Sequence, residues 1–510
     1  MKVCLIEPPK FVSLTNFVST ISMPPIGLAY IASAVRESGH EVSIVDGPGS
    51  APRNYYNFRN QVRVRGLTQE EIISRIPLDA RVIGLGCMFT SHWMFVRELL
   101  ERIRISFPDT FLLMGGEHVT GFPEFSLEEA PLDCVVMGEG EETIVQLLNH
   151  VEKGLPLTEV AGVAYRDSKG RILLNPRRKR MKDIDAIAPP AWDLFDIRRY
   201  NEVNQPHGSA QGKFMPMLAT RGCPFSCTFC TSPNMWTTEW IPRDHKRVVD
   251  EMQEYQRDYG VTDFQFEDLT AIVRKDWIIN FCDEIIARDM KVTFQLPSGT
   301  RSEGIDFEVA QKLKAAGCHE FSFAPESGDP GVLRAIKKKV DLPKMFKSAR
   351  SALNAGINVG CFFIIGFPED TYRSVLKTYG AIIKCALIGF TNVNLNAYSP
   401  QPNTESFQTL QKSGVIKEFD DEYLMSLFTF QDFGARKTSY NSRFGDLELS
   451  AMVNFGVLLF YIVYFLWKPY RIIQLFSDLG SDSSSNKTTK MAKSFFKDAF
   501  TIVKNKLIKA

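Results

Sequence analysis

Apolar residues along this chain come in short unbroken runs, separated by stretches where they recur every three or four positions. Over the first 150 residues the runs fall at 3–6, 42–45, 82–86, 111–114 and 134–137, and the helical stretches at 26–37, 92–106 and 141–152. Buried strands alternating with helices predict an α/β fold with a parallel, doubly wound sheet. Two strands end in glycine-rich turns, "GGEH" at 115–118 and "GEGE" at 138–141. Open α/β sheets bind ligands beyond their strand C-termini, where glycine lets the backbone come close. Sharp strand-to-helix turns also need glycine, so each turn alone is a weak signal.

A polar hairpin at 163–174 and a basic, proline-marked connector to about residue 200 follow. The alternation then restarts with "FMPMLATRG", "VTDFQFED", "KVTFQLPS", "CHEFSFAPES", "INVGCFFIIG" and "TNVNLNAYSP". Six strands with helices between them predict a partial (β/α)6 barrel, whose active site forms where polar residues and glycines close the strands. Beyond residue 401 the pattern turns helical and aromatic, and a serine-rich stretch at 477–489 precedes a lysine-rich terminal helix. The expected divisions are 1–155, a linker with hairpin at 156–208, the barrel at 209–414, a helical region at 415–476, and a linker with a basic amphipathic helix at 477–510.

Composition narrows the partners and the compartment. At 510 residues the chain is too long for one core. A net charge of +1 gives no reason to expect nucleic acid. Seven of the ten cysteines, Cys4, Cys87, Cys134, Cys282, Cys318, Cys361 and Cys385, are scattered through mostly apolar runs and read as buried free thiols in a reducing compartment. The opening "MKVCLIEPPK" has too short an apolar run for a signal peptide, so the catalytic part is expected in the cytoplasm.

The other three cysteines fall within eight residues, Cys223, Cys227 and Cys230, in "TRGCPFSCTFC" at 220–230. A disulfide uses two thiols and a closed zinc site usually four ligands. Three thiolates keep one metal position open. Zinc with an outside fourth ligand, His245 being the nearest histidine in sequence, is one reading; a four-iron cluster with one iron left for a chelating ligand is the other, and spacing favours the cluster.

The Cys-x3-Cys-x2-Cys spacing, with Phe229 before the last cysteine, resembles the signature of the radical S-adenosylmethionine (SAM) enzymes. Further segments, from about 214 to 414, are similar to that family's strands. "FQFED" resembles the segment that holds the SAM amino group, which points to Glu267 and Asp268; "APESG" resembles the ribose-contacting segment, which points to Glu326 and Ser327. "FFIIGFPEDT" resembles the strand passing the adenine, with Gly366 at its end. "YSPQPNTESF" resembles the turn of the sixth strand, with Asn403 where glycine is usual; asparagine also tolerates left-handed backbone. Asp370 stands where Glu is commoner. The resemblance implies a 4Fe-4S cluster on the three cysteines, SAM chelated to its free iron, a 5′-deoxyadenosyl radical, and an electron donor such as flavodoxin or ferredoxin. No catalytic side chain is implied beyond the cluster ligands. His207, His245 and His319 are read as surface or core residues.

The first domain resembles the Rossmann-like cobalamin-binding domain of class B radical SAM enzymes, through "PPIGLAYIASAVRESGHEVSIVD", "MGGEHVTGFPE" and "DCVVMGEGEET". That resemblance points to Asp46, Thr90, Ser91, Gly115, Gly116 and Glu117, and to Gly138, Glu139, Gly140 and Glu141 against the nucleotide tail. Turn formation for the glycines and a helix cap for Asp46 are the plain alternatives. The Asp-x-His-x2-Gly motif that supplies a lower histidine to cobalt in other cobalamin proteins is absent: Gly116 occupies the Asp position ahead of His118. His118 is therefore expected to be a loop residue and cobalamin to bind base-off.

Residues 449–467 carry no charge and are long enough to raise a transmembrane helix. Both flanks must lie with the oxygen-sensitive domains, so an interfacial helix or one docked on the barrel is expected instead. The terminal helix places Phe496, Phe500, Val503 and Leu507 on one face with lysines elsewhere, the pattern of a membrane-surface helix. Together these readings imply a cobalamin-dependent radical SAM enzyme methylating an unactivated carbon of a small-molecule or lipid substrate. It would be cytoplasmic and peripheral on the inner, anionic face of a membrane. Oxidative cyclisation or ring rearrangement with the same cofactors is the close alternative, and a non-catalytic cobalamin-binding sensor the alternative of another class.

Overall fold

The strand Lys2–Glu7 is buried on both faces and pairs in parallel with Glu41–Asp46 on one side and Val82–Gly86 on the other. It lies one strand in from the Glu41–Asp46 edge of a seven-stranded sheet that runs on from Val82–Gly86 through Phe111–Gly115 and Cys134–Val136, all parallel. Structure is described here, from a computed structural model, for residues 1–13, 21–59, 62–301, 303–479, 486, 488, 489, 492 and 493. Two findings modify the expected first domain. The hairpin Val163–Arg166 and Ile172–Leu174 adds two antiparallel strands to this sheet, so the domain runs to about residue 174 and the linker starts there rather than at 156. A small antiparallel sheet of Lys10–Ser13, Val62–Arg65 and Tyr55–Phe58 is also present, which the sequence pattern did not reveal.

The second sheet confirms the six expected barrel strands. Phe214–Met217, Asp263–Phe266, Thr293–Thr300, Cys318–Glu326, Asn358–Ile365 and Asn392–Ala397 pair in parallel and in chain order. Alternate side chains such as Phe264, Phe266, Phe294, Phe321 and Phe363 join the core with the surrounding helices. The other set includes Gln265, Gln295, Glu320, Ser322 and Asn392, all buried. Ser209 enters among these polar groups: its hydroxyl donates to Glu320 at 2.7 Å and its carbonyl accepts from Gln295 at 2.7 Å.

The uncharged stretch is a helix, Asp446–Trp467, and it docks on the barrel. Leu449, Val453, Gly456, Phe460 and Tyr464 are buried on one face, against helix Tyr372–Ile388 and the last barrel strand. Glycine at 456 is required by this approach, since a Cβ there would lie 2.3 Å from Leu395 Cδ2. The Tyr379 hydroxyl donates to the Met452 carbonyl at 2.7 Å across the contact. The opposite face exposes Phe455, Leu458, Ile462, Leu466 and Trp467. By length and composition this is the one helix among the described residues that is able to cross a membrane, yet about a third of it is buried against the barrel. The expected amphipathic helix beyond it lies outside the described residues, apart from Ala492 and Lys493.

Candidate functional site

The three cysteines lie half-buried on one loop at the C-terminal end of the first barrel strand, all as free thiols. Thr220–Arg221 pairs with Ile241–Pro242 and launches the loop. Gly222 turns it: φ is +85°, and a Cβ would lie 2.2 Å from the Glu239 carbonyl, so only glycine fits. The loop is pinned by Thr228, whose N–H donates to the Ile336 carbonyl at 3.1 Å and whose hydroxyl accepts from Ser406 at 2.8 Å. Phe229 packs edge-on against Phe367 at 5.4 Å. Burial pushes the Cys230 thiol up to about 12, and raises Cys227 against the pull of Lys338 and Arg301. Thiols held this way ionise only when a positive centre compensates, which a metal cluster does. Among the described residues no three metal-ligating side chains of His, Cys, Asp or Glu gather as a single-ion site. The donor set, three soft thiols on a loop shaped by glycine, fits an iron–sulfur cluster.

The residues expected around SAM divide into two groups. Glu267 follows the second barrel strand and Glu326 ends the fourth, the latter close enough to act on Cys227. Glu267 Oε2 meets His207 Nδ1 at 2.9 Å, while its Oε1 is buried without a partner among the described residues. A buried, orphaned carboxylate oxygen suits a cationic amino group. Glu326 has left-handed backbone, φ +68°, unusual for a residue with a side chain, and its carboxylate pairs with Lys338 at 2.8 Å. Gly366, φ +89°, is kept small by Leu449 of the docked helix, 2.8 Å from where its Cβ would be. Asp370 accepts from the Gly366 and Phe367 amides at 2.9 and 3.1 Å, so this turn uses the shorter acid as a cap. Asn403 does adopt left-handed backbone, φ +55°.

Two further SAM candidates already have partners within the protein. Asp268 is fully buried and accepts from the Thr220 hydroxyl at 2.6 Å and the Ala219 amide at 3.2 Å, tying the second strand to the start of the cysteine loop. Burial raises its pKa to about 6. Ser327 Oγ is buried, accepts from the Asp329 amide at 3.1 Å and sits 3.3 Å from the Thr378 hydroxyl.

On the first domain, Gly116 and Gly138 have φ of +114° and +78°, and Gly116 lies so close to Cys87 that a Cβ would meet its carbonyl at 2.5 Å. Gly115 has open space where a side chain would be. Beside these turns, Met88 and Phe89 expose large apolar surface at the end of strand Val82–Gly86, and the sequence reading passed them over. An apolar loop next to open glycine backbone fits a flat macrocycle better than a small polar ligand. Five further candidates are buried or already have partners within the protein. Asp46 caps the turn Gly47–Ser50 through Gly49 N–H at 2.9 Å and accepts from Tyr200 OH at 2.8 and 2.9 Å, so its carboxylate is taken. Thr90 is buried on His118, with its hydroxyl 3.1 Å from Nδ1; Ser91 is buried beside it. Glu139 and Glu141 are paired with Arg180 and Arg221, arginines that sequence reasoning did not single out.

His118 is a helix residue, in Glu117–Gly121, rather than the loop residue expected. It stacks on Trp93 at 4.5 Å, both ring nitrogens have hydroxyl neighbours, and burial lowers its pKa to about 3. Glu117, next to it, bonds Thr231 of the short helix Ser232–Trp236's N-cap, just past Cys230. A Cβ built on Gly138 would lie 3.8 Å from the Met235 carbonyl oxygen, and one built on Gly121 3.8 Å from Pro402. The glycine turns of the first domain and the cysteine loop of the second therefore meet at one short helix.

Known proteins share this pairing of domains. The family model of the B12 binding domain matches residues 15–148, and that of the radical SAM superfamily matches 217–382. An uncharacterized methyltransferase of Pyrococcus horikoshii is 30% identical over 381 residues, 74% of this chain and 77% of its own. A cytidylyl-2-hydroxyethylphosphonate methyltransferase of Streptomyces wedmorensis is 27% identical, over 79% of this chain and 80% of its own. An anaerobic magnesium-protoporphyrin IX monomethyl ester cyclase of Rubrivivax gelatinosus is 25% identical, over 78% and 68%. Among solved structures, the cobalamin-dependent SAM radical enzyme OxsB, with aqua-cobalamin and SAM bound, superposes with a TM-score of 0.69 at 15% identity, covering 98% of this chain and 75% of that one. The radical SAM methyltransferase TsrM of Kitasatospora setae, with cobalamin and a [4Fe-4S] cluster, gives 0.64 at 17%, covering 81% and 75%.

Proposed function

Since the chain belongs to the cobalamin-dependent, class B radical SAM enzymes, we propose that it methylates an unactivated carbon of its substrate. The observation that carries this reading is the meeting of the cysteine loop and the glycine turns of the first domain at the helix Ser232–Trp236. Groups held on the two sides would share one site. When bound, a 4Fe-4S cluster, SAM and cobalamin supply one-electron cleavage and methyl carriage, chemistry that no side chain here provides.

The chain's own part is holding, orienting and excluding water. Cys223, Cys227 and Cys230 would hold the cluster, with Lys338 and Arg301 moderating its negative charge. Glu267 Oε1 would accept from the SAM ammonium, and Glu326, held by Lys338, would meet the ribose. Phe229 and Gly366 would flank the adenine. Backbone at Gly115–Gly116 and Gly138–Gly140, with Met88 and Phe89, would receive the corrin. Base-off binding is supported by His118, whose ring is committed to Trp93, Thr90 and Ser126. A flavodoxin or ferredoxin would supply the electron.

A lipid or lipid-linked substrate, reached at the inner face of an anionic membrane, is supported by the exposed apolar face Phe455–Leu458–Ile462–Leu466 and by Trp467 and Tyr470 at its end. Oxidative cyclisation is the second reading, favoured by the cyclase relative. Methyl-labelled SAM, incubated anaerobically with reconstituted protein and a lipid extract, separates them by mass spectrometry of the products. Label in a product supports methylation. Formation of 5′-deoxyadenosine with an unlabelled, altered product supports cyclisation, and absence of both contradicts the two together.

A further inference from the structure

The connector between the first sheet and the barrel contains "RRKR", residues 177–180. A run of basic residues is usually a solvated surface or a binding patch for an anion. Here two of its arginines, Arg177 and Arg180, bridge the two domains, while Arg178 bonds Thr143 and Gln146 within the first. Arg177 donates to the Thr120 carbonyl of the first domain at 3.1 Å and to the Asn234 carbonyl of helix Ser232–Trp236. Arg180 Nε lies 2.6 Å from Glu139 Oε2, and its Nη1 reaches the carbonyls of Trp236 and Glu239.

Arg221, two residues before Cys223, completes the network from the barrel side. Its guanidinium lies 3.2 Å from Glu139 and 2.6 Å from Glu141. The ring of Trp236 lies 5.3 Å from the Arg180 guanidinium carbon and 5.8 Å from that of Arg221, with Tyr30 at 5.2 Å on Arg221. All four charged side chains are 6–11% exposed. Two cations thus balance two anions away from water. A buried charge cluster of this kind adds little net stability compared with well-packed apolar residues; what it imposes is geometry, because each planar guanidinium accepts few orientations. Its endpoints are informative. Glu139 and Glu141 sit in and just after the Gly138–Gly140 turn, and Arg221 and Trp236 bracket the cysteine loop.

We propose that Arg180 and Arg221 are positioning residues: clamped on Glu139 and Glu141, they fix the glycine turn of the first domain and the cysteine loop of the barrel at one separation and orientation. Groups held on the two loops then face each other in a single geometry. The inference rests on the cofactor assignment above, and its test separates the two. Reconstituted wild-type protein, reduced so that cluster and cob(II)alamin are both paramagnetic, is examined by pulsed EPR for the distance between the two centres. The double variant Arg221→Met, Glu141→Leu replaces one buried cation and one buried anion with apolar side chains of similar size, removes both ion pairs of Arg221 and leaves Arg180 on Glu139; Arg221→Lys keeps charge without the planar fork.

The expected result is a narrow distance distribution in the wild type, at least twofold broader in the double variant and intermediate in Arg221→Lys, with iron and cobalamin contents unchanged. An unchanged width in the double variant overturns the proposal. So does loss of iron or cobalamin from it at an unchanged melting temperature, which would make the network a cofactor ligand or scaffold. Failure of the wild type to take up iron or cobalamin is a different outcome and refutes the cofactor assignment itself.

Discussion

His207 Nδ1 lies 2.9 Å from Glu267 Oε2, and the other oxygen of that carboxylate is buried with no hydrogen-bond partner among the described residues. One oxygen is thus fixed by the protein and the other left for a ligand. Charge-assisted hydrogen bonds contribute about 1.5–3 kcal/mol, so Glu267→Gln should weaken SAM binding by roughly tenfold or more. His207→Ala removes only the orientation and should cost several-fold, with His207→Gln recovering part of it. Equilibrium binding of SAM to the reconstituted protein reads all three. Equal affinity in wild type and Glu267→Gln would remove Glu267 from the site.

Packing at Gly456 separates the two faces of the helix Asp446–Trp467. Gly456→Ala places a methyl group 2.3 Å from Leu395 and should destabilise the barrel by about 1–3 kcal/mol, as overpacking does. Phe455→Ser and Ile462→Ser on the outer face should stay within about 0.5 kcal/mol of wild type. Urea unfolding of the three variants measures this. A larger loss from the outer pair would mean that face is covered in the folded protein.

Much of this architecture was legible in the sequence for a physical reason. Barrel strands carry outward apolar residues at every second position, so Phe264, Phe266 and Phe294 announced themselves. The cysteine spacing is local, and so is the left-handed turn at Asn403. What stayed hidden is non-local. Nothing near residues 163–174 says that the hairpin joins the first sheet, because strand pairing is decided by the partner edge. Arg180 and Glu139 are 41 residues apart, and no periodicity links them. Asp268 and Ser327 sit inside motifs of the right kind, yet a carboxylate or hydroxyl already satisfied by its neighbours is known only once those neighbours are in place.

Asp46 gives a pH signature. Burial raises its pKa from the usual 3.8 to about 6, more than the bonds from Gly49 and Tyr200 lower it. Its folded value exceeds its unfolded one, so the folded chain takes up the proton first. The stabilisation from protonation is complete below about pH 4 and lost as pH rises through 6. Relative to Asp46→Asn, the wild type should lose about 2 kcal/mol between pH 4 and 7. Urea titrations at a series of pH values, followed by tryptophan fluorescence, test this; identical pH slopes in the two proteins would contradict it.

The outer face of the long helix carries the membrane proposal. Anionic liposomes should retain the full-length protein at low salt. The double variant Phe455→Ser, Ile462→Ser should bind several-fold more weakly, as should a truncation after Ser477 that removes the terminal lysines. Each lysine near an anionic surface contributes about 1 kcal/mol, and added salt should reduce it. Full-length protein that stays in solution with such liposomes at low salt would remove the membrane, and with it the main support for a lipid substrate.

The central claim, that the cysteine loop and the first domain carry out cobalamin-dependent radical SAM chemistry, is tested most directly by SAM cleavage and methyl transfer in one reaction. Anaerobically reconstituted protein with bound cobalamin is reduced and given SAM labelled in its methyl group. The account predicts 5′-deoxyadenosine and label on the cobalamin with the wild type. It also predicts that Cys223→Ala, Cys227→Ala and Cys230→Ala each abolish the 5′-deoxyadenosine. Cleavage that persists in all three variants, or wild-type protein that leaves the cobalamin unlabelled, would contradict it.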